Sequence, residues 1–182
     1  MLGINDKDIK KGLERLDRVP GRFNSIKLAN GATAVIDFAH TPDSVEKILN
    51  SLRQLPFDRI ITVFGCGGNR DKSKRPQMGR IAEKLSDFVI VTSDNPRFEN
   101  PELIIDDIES GMASNKHICM PDRTKAINYA IEIAKKNDAI AICGKGAEEY
   151  QDINGVKSPY SDFDVVIEKN EEMRVDTIVN RG

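Results

Sequence analysis

Short apolar runs alternate along this chain with segments whose apolar residues recur at helical spacing. Residues 59–64, 88–92 and 139–143 are runs rich in valine, isoleucine and alanine, which is typical of strands buried on both faces. The segment that follows Thr41 instead places its apolar residues three and four positions apart, as a helix with one buried face would. Strands that alternate with helices predict an α/β fold, in which a mostly parallel sheet is flanked by helices on both faces.

An Asn-Gly dipeptide near the start predicts an N-terminal β-hairpin. Residues 23–28 and 32–38 are largely apolar or alternating, and Asn30-Gly31 between them is typical of a tight hairpin turn. The other predicted elements are helices over residues 42–52, 76–85, 101–112, 122–136 and 161–168, and a short strand over residues 117–120. The third of these helices is predicted to turn four apolar residues inward, namely Leu103, Ile104, Ile105 and Ile108.

The length of 182 residues suits a single domain, which we predict over residues 21–170. Residues 1–20 are highly charged, and they are predicted to be a linker or tail that follows a preceding domain. Residues 171–182 are predicted to be a C-terminal tail. A chain cut out of a longer protein would be organised in this way.

Composition excludes several classes of function. Charged residues make up 31% of the chain but the net charge is only −2, so no broad basic face is expected and nucleic acid is not an expected partner. No apolar run approaches the roughly 20 residues of a membrane-spanning helix and the start lacks the pattern of a signal peptide, so no membrane association is expected and a cytoplasmic protein is predicted.

The cysteines argue against a disulfide framework or a zinc ribbon. There are three, at positions 66, 119 and 143, with no Cys-x-x-Cys pair among them. Each ends an apolar run, so each is predicted to be a small buried thiol.

Four loops that follow predicted strands contain most of the distinctive polar residues. They cover residues 37–40, 65–75, 94–99 and 144–148. Because the carboxyl ends of parallel strands meet at one edge of a sheet, where open α/β folds bind their ligands, we expect the four loops to share one cleft.

The third loop offers a carboxylate, an amide and a guanidinium within four residues, Asp94-Asn95-Pro96-Arg97. Pro96 fixes its own φ and keeps Asn95 out of the helical region, which limits how these side chains are aimed. A ligand that carries both ammonium and carboxylate groups would suit them. The alternative is a plain turn that leads into the helix capped at Asn100.

The second loop is rich in glycine but matches no standard phosphate-binding motif. A dinucleotide fingerprint would need glycine where Arg70 stands, and a Walker A motif ending at Lys145 would need glycine in place of Ala139 and serine or threonine in place of Gly146. What remains is an amide-rich turn beside Arg70 that suits a carboxylate or phosphate. The alternative is a glycine turn next to a solvated basic stretch.

The first and fourth loops contain further candidates. Asp37 and His40 could contact a nucleotide or act as acid and base, although His40 could equally satisfy a local carbonyl at a helix start. Gly144 and Glu148 bracket a turn where a carbonyl and a carboxylate could face an ammonium group, although a glycine after a strand is common. His117, in a short apolar strand, is predicted to be structural.

Taken together, the order and spacing of these motifs resemble the C-terminal domain of the Mur ligases, over roughly residues 15–170. The motifs that carry the resemblance are Val19-Pro20-Gly21-Arg22-Phe23, Asp37-Phe38-Ala39-His40-Thr41-Pro42-Asp43-Ser44, Gly65-Cys66-Gly67-Gly68-Asn69-Arg70-Asp71-Lys72, Lys74-Arg75-Pro76, Asp94-Asn95-Pro96-Arg97 and Gly144-Lys145-Gly146. The resemblance implies a Rossmann-like α/β domain.

The resemblance also implies a reaction and a division of labour. Such a ligase activates the carboxylate of UDP-N-acetylmuramoyl-L-alanyl-D-glutamate with ATP and Mg²⁺, and the amine of an amino acid attacks the resulting acyl phosphate. ATP and the UDP-linked dipeptide are expected to bind mainly to other domains, so no catalytic residue is expected in this chain and it should not ligate alone. The residues that resemble the amino-acid site are Arg70, Asp94, Asn95, Pro96, Arg97, Gly144 and Glu148. Those that resemble residues approaching the nucleotide are Arg22, Asp37 and His40.

The Asp-Asn-Pro-Arg form is associated with family members that add meso-diaminopimelate, whereas lysine-adding members have another residue in place of the arginine. A guanidinium can take the distal carboxylate, which lysine lacks, with two parallel hydrogen bonds. Two departures from the family are Ala147, where a histidine is usual, and Phe38, where tyrosine is commoner. Three alternatives stay open: a lysine-adding ligase, a ligase for a close analogue of diaminopimelate, and a non-catalytic module that binds a diamino acid.

Overall fold

The computed structural model describes residues 21–179, with side chains to Val175. The linker predicted over residues 1–20 lies outside the described residues. Within them, six strands form one sheet and two more form a separate hairpin. The six are β1 (Asn24–Lys27), β2 (Thr33–Asp37), β3 (Ile60–Phe64), β4 (Phe88–Val91), β5 (His117–Cys119) and β6 (Ala139–Cys143), and the hairpin is β7 (Tyr150–Ile153) with β8 (Val156–Pro159).

The order of strands in the large sheet is β1-β2-β6-β3-β4-β5, with β1 antiparallel to β2 and the other neighbours parallel. The helices are α1 (Pro42–Arg53), α2 (Lys74–Leu85), α3 (Pro101–Glu109), α4 (Arg123–Ile133) and α5 (Asp162–Val179). Helices α1, α2 and α3 pack on one face of the sheet and α4 and α5 on the other. The predicted Rossmann-like α/β fold, with a mostly parallel sheet between two layers of helices, is confirmed.

Three of the helices begin directly after a residue whose side chain caps the helix. The Thr41 side chain accepts a hydrogen bond from the Ser44 amide and the Ser44 hydroxyl accepts one from the Thr41 amide, which forms a capping box before α1. Asn100 and Asp122 cap α3 and α4 in the same way, through side-chain oxygens that accept from backbone amides. No described helix combines the length and the apolarity needed to cross a membrane.

The predicted N-terminal hairpin is confirmed, but its connection is longer than a two-residue turn. Lys27 pairs with Thr33, so residues 28–32 form the loop. The Asn30 amide donates to the carbonyl oxygens of Ile131 and Ala134 at 2.9 and 3.1 Å, and Gly31 has a φ of +86°. The dipeptide therefore ties the hairpin to the end of α4.

Two predicted burials were wrong. Leu103 is 60% exposed, because it lies roughly 150° around the helix from the centre of the buried stripe of Ile104, Ile105 and Ile108. Cys119 is exposed, because β5 is the edge strand, whereas Cys66 and Cys143 are buried as predicted.

Two features at the carboxyl end differ from the prediction. Helix α5 continues to Val179 instead of ending near residue 168, and so it crosses the predicted boundary between residues 170 and 171. The β7–β8 hairpin was not predicted. Its turn is Asn154-Gly155, and both residues have positive φ, 52° and 78°, as a two-residue hairpin turn requires.

Candidate functional site

The four predicted loops meet in one cleft at the carboxyl edge of the sheet. They follow β2, β3, β4 and β6, which are neighbours in the sheet, and the cleft between them has a volume of about 460 Å³. Its lining consists of Phe38, His40, Thr41, Gly65, Cys66, Gly67, Arg70, Asp71, Lys74, Asp94, Asn95, Arg97, Gly144 and Glu148. The expectation of a shared cleft is confirmed.

Most of the predicted site residues line this cleft, and three do not. Pro96 faces a separate hollow on the other side of its loop. Asp37 ends β2, and its two carboxylate oxygens accept hydrogen bonds from the amides of Phe23 and Ala39 at 2.8 and 2.9 Å. The Arg22 guanidinium lies over the Phe38 ring, 5.8 Å from its centroid.

Arg97 occupies an unusual backbone conformation. Its φ is +53°, in the left-handed region that costs a non-glycine residue roughly 1–2 kcal/mol. Two hydrogen bonds with the β7–β8 hairpin hold it there: the Arg97 amide donates to the Asp152 carbonyl at 3.0 Å, and its own carbonyl accepts from Asn154 at 2.7 Å. The guanidinium donates through Nη1 to the Gly68 carbonyl at 2.9 Å. The hairpin therefore fixes the direction of Arg97.

Asn95 is buried and its amide is committed to other protein groups. Its Oδ1 accepts from Lys145 Nζ at 2.8 Å and from the Asp152 amide at 3.0 Å, and its Nδ2 donates to Glu148 Oε2 at 2.8 Å. Lys145 is fully buried, and Nζ also donates to the Tyr150 carbonyl at 2.7 Å. Burial lowers the pKa of Lys145. Asn95 and Lys145 thus position Glu148 and the hairpin and do not present free groups to a ligand.

Lys145 was missed as a site residue in the sequence. In the sequence it stands only within a failed Walker A motif and within the Gly144-Lys145-Gly146 motif of the family resemblance, and neither pattern indicates a buried side chain that bonds to distant residues. Its partners lie on β7 and on the loop after β4, which no local pattern connects to it.

Glu99 joins the glycine-rich loop to the loop that carries Arg97. The Arg75 guanidinium, itself fully buried, donates to both oxygens of Glu99 at 3.0 Å. Lys72 lies 3.1 Å from the same carboxylate, and the Asn69 amide donates to it at short range. These contacts, led by the hydrogen bonds from Arg75, lower the pKa of Glu99 from 4.5 to about 2.

We expect this carboxylate to give the protein an acid-sensitive contribution to stability. Because the pKa of Glu99 is lower in the folded state than the ordinary 4.5, its contribution is complete above pH 4.5 and is lost as the pH falls towards 2. In urea unfolding at a series of pH values, Glu99→Gln should flatten the fall in the free energy of unfolding across this window. Glu102→Gln, which changes an exposed carboxylate on α3, is the control. Equal slopes in the wild type and Glu99→Gln would contradict the assignment.

The glycine-rich loop is docked against its neighbour and is not an open cradle of amides. The Gly68 amide already donates to the Asn95 carbonyl at 2.9 Å. A Cβ on Gly68 would lie 1.9 Å from the Pro96 carbonyl oxygen, so glycine is required for this close approach. Gly144 has a φ of +119°, and a Cβ there would lie 2.7 Å from Asp94 Oδ2.

The side chains that remain available in the cleft carry both signs of charge. Arg70 is exposed and has no hydrogen bond or ion pair with any residue in the described range. Arg97 uses only Nη1 in its hydrogen bonds to described residues. Asp94 and Glu148 supply carboxylates to the same cleft. Such a site can bind a molecule that carries ammonium and carboxylate groups together.

Comparison with known proteins points to one family. Residues 21–146 match the family described as "Mur ligase, glutamate ligase domain". The UDP-N-acetylmuramoyl-L-alanyl-D-glutamate--2,6-diaminopimelate ligase of Aquifex aeolicus (strain VF5) is 52% identical over 167 residues, which cover 91% of this chain and 34% of that protein. The ligase of the same name from Chlorobaculum tepidum is 48% identical over 164 residues, covering 88% of this chain and 32% of that protein.

A solved structure agrees with the sequence comparisons. A protein described as UDP-N-acetylmuramoyl-L-alanyl-D-glutamate--2,6-diaminopimelate ligase superposes with a TM-score of 0.81 at 36% identity, covering 94% of this chain and 36% of that one. This chain therefore spans about a third of the length of the relatives it matches.

Proposed function

The chain belongs to the Mur ligase family, and from this premise we propose that it is the amino-acid-binding C-terminal domain of an ATP-dependent ligase. The proposed ligase adds meso-diaminopimelate to UDP-N-acetylmuramoyl-L-alanyl-D-glutamate in peptidoglycan synthesis, in the cytoplasm. The relatives that bear this activity in their names are about three times as long as the chain, so the proposed reaction belongs to the full-length protein.

The observation that carries the proposal is the pairing of charges in the cleft. Diaminopimelate has two ends, each with an ammonium and a carboxylate group. Arg70 and Arg97 are the cleft's guanidinium groups, and Asp94 and Glu148 supply carboxylates to the same cleft. We assign Arg97, together with Arg70, to the distal carboxylate, because a planar guanidinium binds a carboxylate through two parallel hydrogen bonds.

In the proposed reaction this domain binds and orients the amino acid. The carboxylate of the UDP-linked dipeptide is activated as an acyl phosphate with release of ADP. The amino group of diaminopimelate, once deprotonated, attacks the acyl carbon, and phosphate leaves as the amide bond forms. Fixing the amine beside the acyl carbon turns an encounter between two molecules into a step within one complex, which is the main contribution that a binding domain can make.

ATP and Mg²⁺ would be held mainly by a part of the protein outside this chain. Among the three residues proposed to approach the nucleotide, Asp37 already uses both carboxylate oxygens to accept backbone hydrogen bonds, so it fits a positioning role. Arg22 and His40 fit direct contact better, since the His40 ring bonds through Nδ1 to the Phe38 carbonyl and leaves Nε2 for a ligand.

A substrate comparison on the full-length protein tests the proposal. With ATP and the UDP-linked dipeptide, we expect kcat/KM for meso-diaminopimelate to exceed that for lysine by roughly 10–100-fold. This ratio corresponds to the loss of one charge-assisted contact of about 1.5–3 kcal/mol. ADP release should depend on both the dipeptide and the amino acid. Equal or better use of lysine would overturn the assigned substrate, and absence of ligation with every diamino acid would overturn the ligase.

A further inference from the structure

A second cluster of reactive side chains lies at the opposite edge of the sheet from the N-terminal hairpin. His117 and Cys119 are two residues apart on the edge strand β5, so their side chains point to the same face. Ile118 between them packs into the core on the side of α4 and α5. His117 and Cys119 therefore face the layer that contains α2 and α3, where Glu109 ends α3.

The three side chains converge at metal-binding range. His117 Nε2 lies 2.9 Å from Glu109 Oε1, and one ligand atom from each of Glu109, His117 and Cys119 lies within 4.8 Å of the others. Tetrahedral zinc holds nitrogen, sulfur and oxygen ligands about 3.4–3.6 Å apart, given bond lengths of roughly 2.0–2.3 Å. Small side-chain rotations would reach this geometry, and Glu109 and Cys119 are both exposed to solvent.

The other nitrogen of the imidazole provides independent support. His117 Nδ1 is buried and has no hydrogen-bond partner among the described residues. The nearest carboxylate oxygen across the gap is Glu83 Oε1 at 3.9 Å, and Glu83 is itself held by the amides of Ala113 and Ser114 at 2.9 Å. At 3.9 Å the two atoms do not form a hydrogen bond. A metal-binding histidine commonly donates its second N–H to a carboxylate, and a small movement of the ring towards Glu83 would supply that partner while Nε2 binds the metal.

We propose that Glu109, His117 and Cys119 form a binding site for Zn²⁺ or a similar borderline-soft divalent ion, separate from the amino-acid cleft. The donor set is a thiolate, an imidazole and a carboxylate, which suits zinc and does not suit Mg²⁺ or Ca²⁺, ions that take oxygen ligands. A fourth position stays open to water. The bound ion would connect the edge strand β5 to α3, and it would stabilise a strand that has a sheet neighbour on one side only.

Binding requires a change in protonation that can be measured. A cysteine binds a metal ion as the thiolate, so the Cys119 thiol must give up its proton when it becomes a ligand. When the metal–sulfur bond forms, that proton goes to the solvent. We therefore expect release of about one proton for each metal ion bound.

Metal titration of the 182-residue chain tests the site. We expect Zn²⁺ to bind with one-to-one stoichiometry in calorimetry, and Co²⁺ to give the near-ultraviolet absorption of a cobalt–thiolate bond. Excess Mg²⁺ should not compete. Absence of Zn²⁺ binding at micromolar concentration, or displacement of Zn²⁺ by equimolar Mg²⁺, would overturn the proposal.

Matched variants assign the ligands. The chain has two histidines and three cysteines, so His40→Gln and Cys66→Ser serve as controls for His117→Gln and Cys119→Ser. We expect the latter two to weaken Zn²⁺ binding by more than about 100-fold, Glu83→Gln to weaken it by roughly 10–100-fold, and the controls to leave it unchanged. Zn²⁺ affinity retained in both His117→Gln and Cys119→Ser would overturn the site.

A readout on the wild-type chain does not depend on how the variants fold. Cys119 is exposed whereas Cys66 and Cys143 are buried, so iodoacetamide should modify Cys119 first. Bound Zn²⁺ should slow this modification, and it should raise the midpoint of thermal unfolding. Modification of Cys119 at the same rate with and without saturating Zn²⁺ would count against coordination by its sulfur.

Discussion

Replacing Arg97 by alanine in the proposed full-length ligase is expected to raise KM for meso-diaminopimelate by roughly 10–100-fold, while KM for ATP stays nearly unchanged. The guanidinium is directed into the cleft by hydrogen bonds from its backbone to the β7–β8 hairpin, and only Nη1 is used in its contacts with carbonyl oxygens of described residues. Its remaining N–H groups can bind a carboxylate. Arg97→Lys should lose most of the same affinity, because an ammonium cannot form the two parallel hydrogen bonds.

Comparing diaminopimelate with lysine as substrates distinguishes a loss of recognition of the distal carboxylate from general damage to the enzyme. Lysine lacks the distal carboxylate, so Arg97→Ala should impair the use of diaminopimelate far more than any residual use of lysine. Arg70→Ala should act in the same direction. Arg80→Ala, an exposed arginine on α2 outside the cleft, is the matched control and should leave both substrates unaffected. Unchanged kinetics with diaminopimelate in both Arg97→Ala and Arg70→Ala would sink the site assignment.

The largest expected loss of stability comes from Arg123, which lies under the site. Its guanidinium makes two hydrogen bonds to Asp162, at 2.8 and 2.7 Å, and both side chains are fully buried. It also donates to the carbonyl of Cys143, at the end of β6, at 3.0 Å. We expect Arg123→Met to lower the free energy of unfolding by about 3–5 kcal/mol, because it leaves a buried carboxylate without its partner.

Urea unfolding of a set of variants distinguishes this mechanism from a simple loss of packing. Asp162→Leu alone should also be strongly destabilising, but the double variant Arg123→Met with Asp162→Leu should recover part of the loss, since no buried charge is left unpaired. Lys47→Met breaks the exposed pair with Asp43, and it should cost less than about 1 kcal/mol. Strictly additive losses in the double variant would show that the two buried groups do not stabilise each other.

Local sequence patterns predicted most of the fold, and their failures have identifiable causes. The buried strands of the large sheet were recognised as continuous apolar runs, and the capped helices by apolar residues at helical spacing. The β7–β8 hairpin was missed because its strands are polar and partly or fully exposed, so they show neither pattern. The Asn154-Gly155 pair was nevertheless a valid signal, and it forms a true two-residue turn, whereas Asn30-Gly31 lies within a longer loop.

The sequence by itself determined that the chain is a parallel α/β domain whose four strand-end loops share a cleft, because strand direction and loop position follow from local apolar patterns. Only the tertiary structure decided how the cleft is held together. Asn95 bonds to Lys145 across 50 residues of chain and to the amide of Asp152 across 57. The partner of a buried polar group is set by the packing of distant elements, and no local pattern encodes it. For that reason Arg97 could be predicted to lie in the cleft, whereas the hairpin and the buried lysine that position its loop could not.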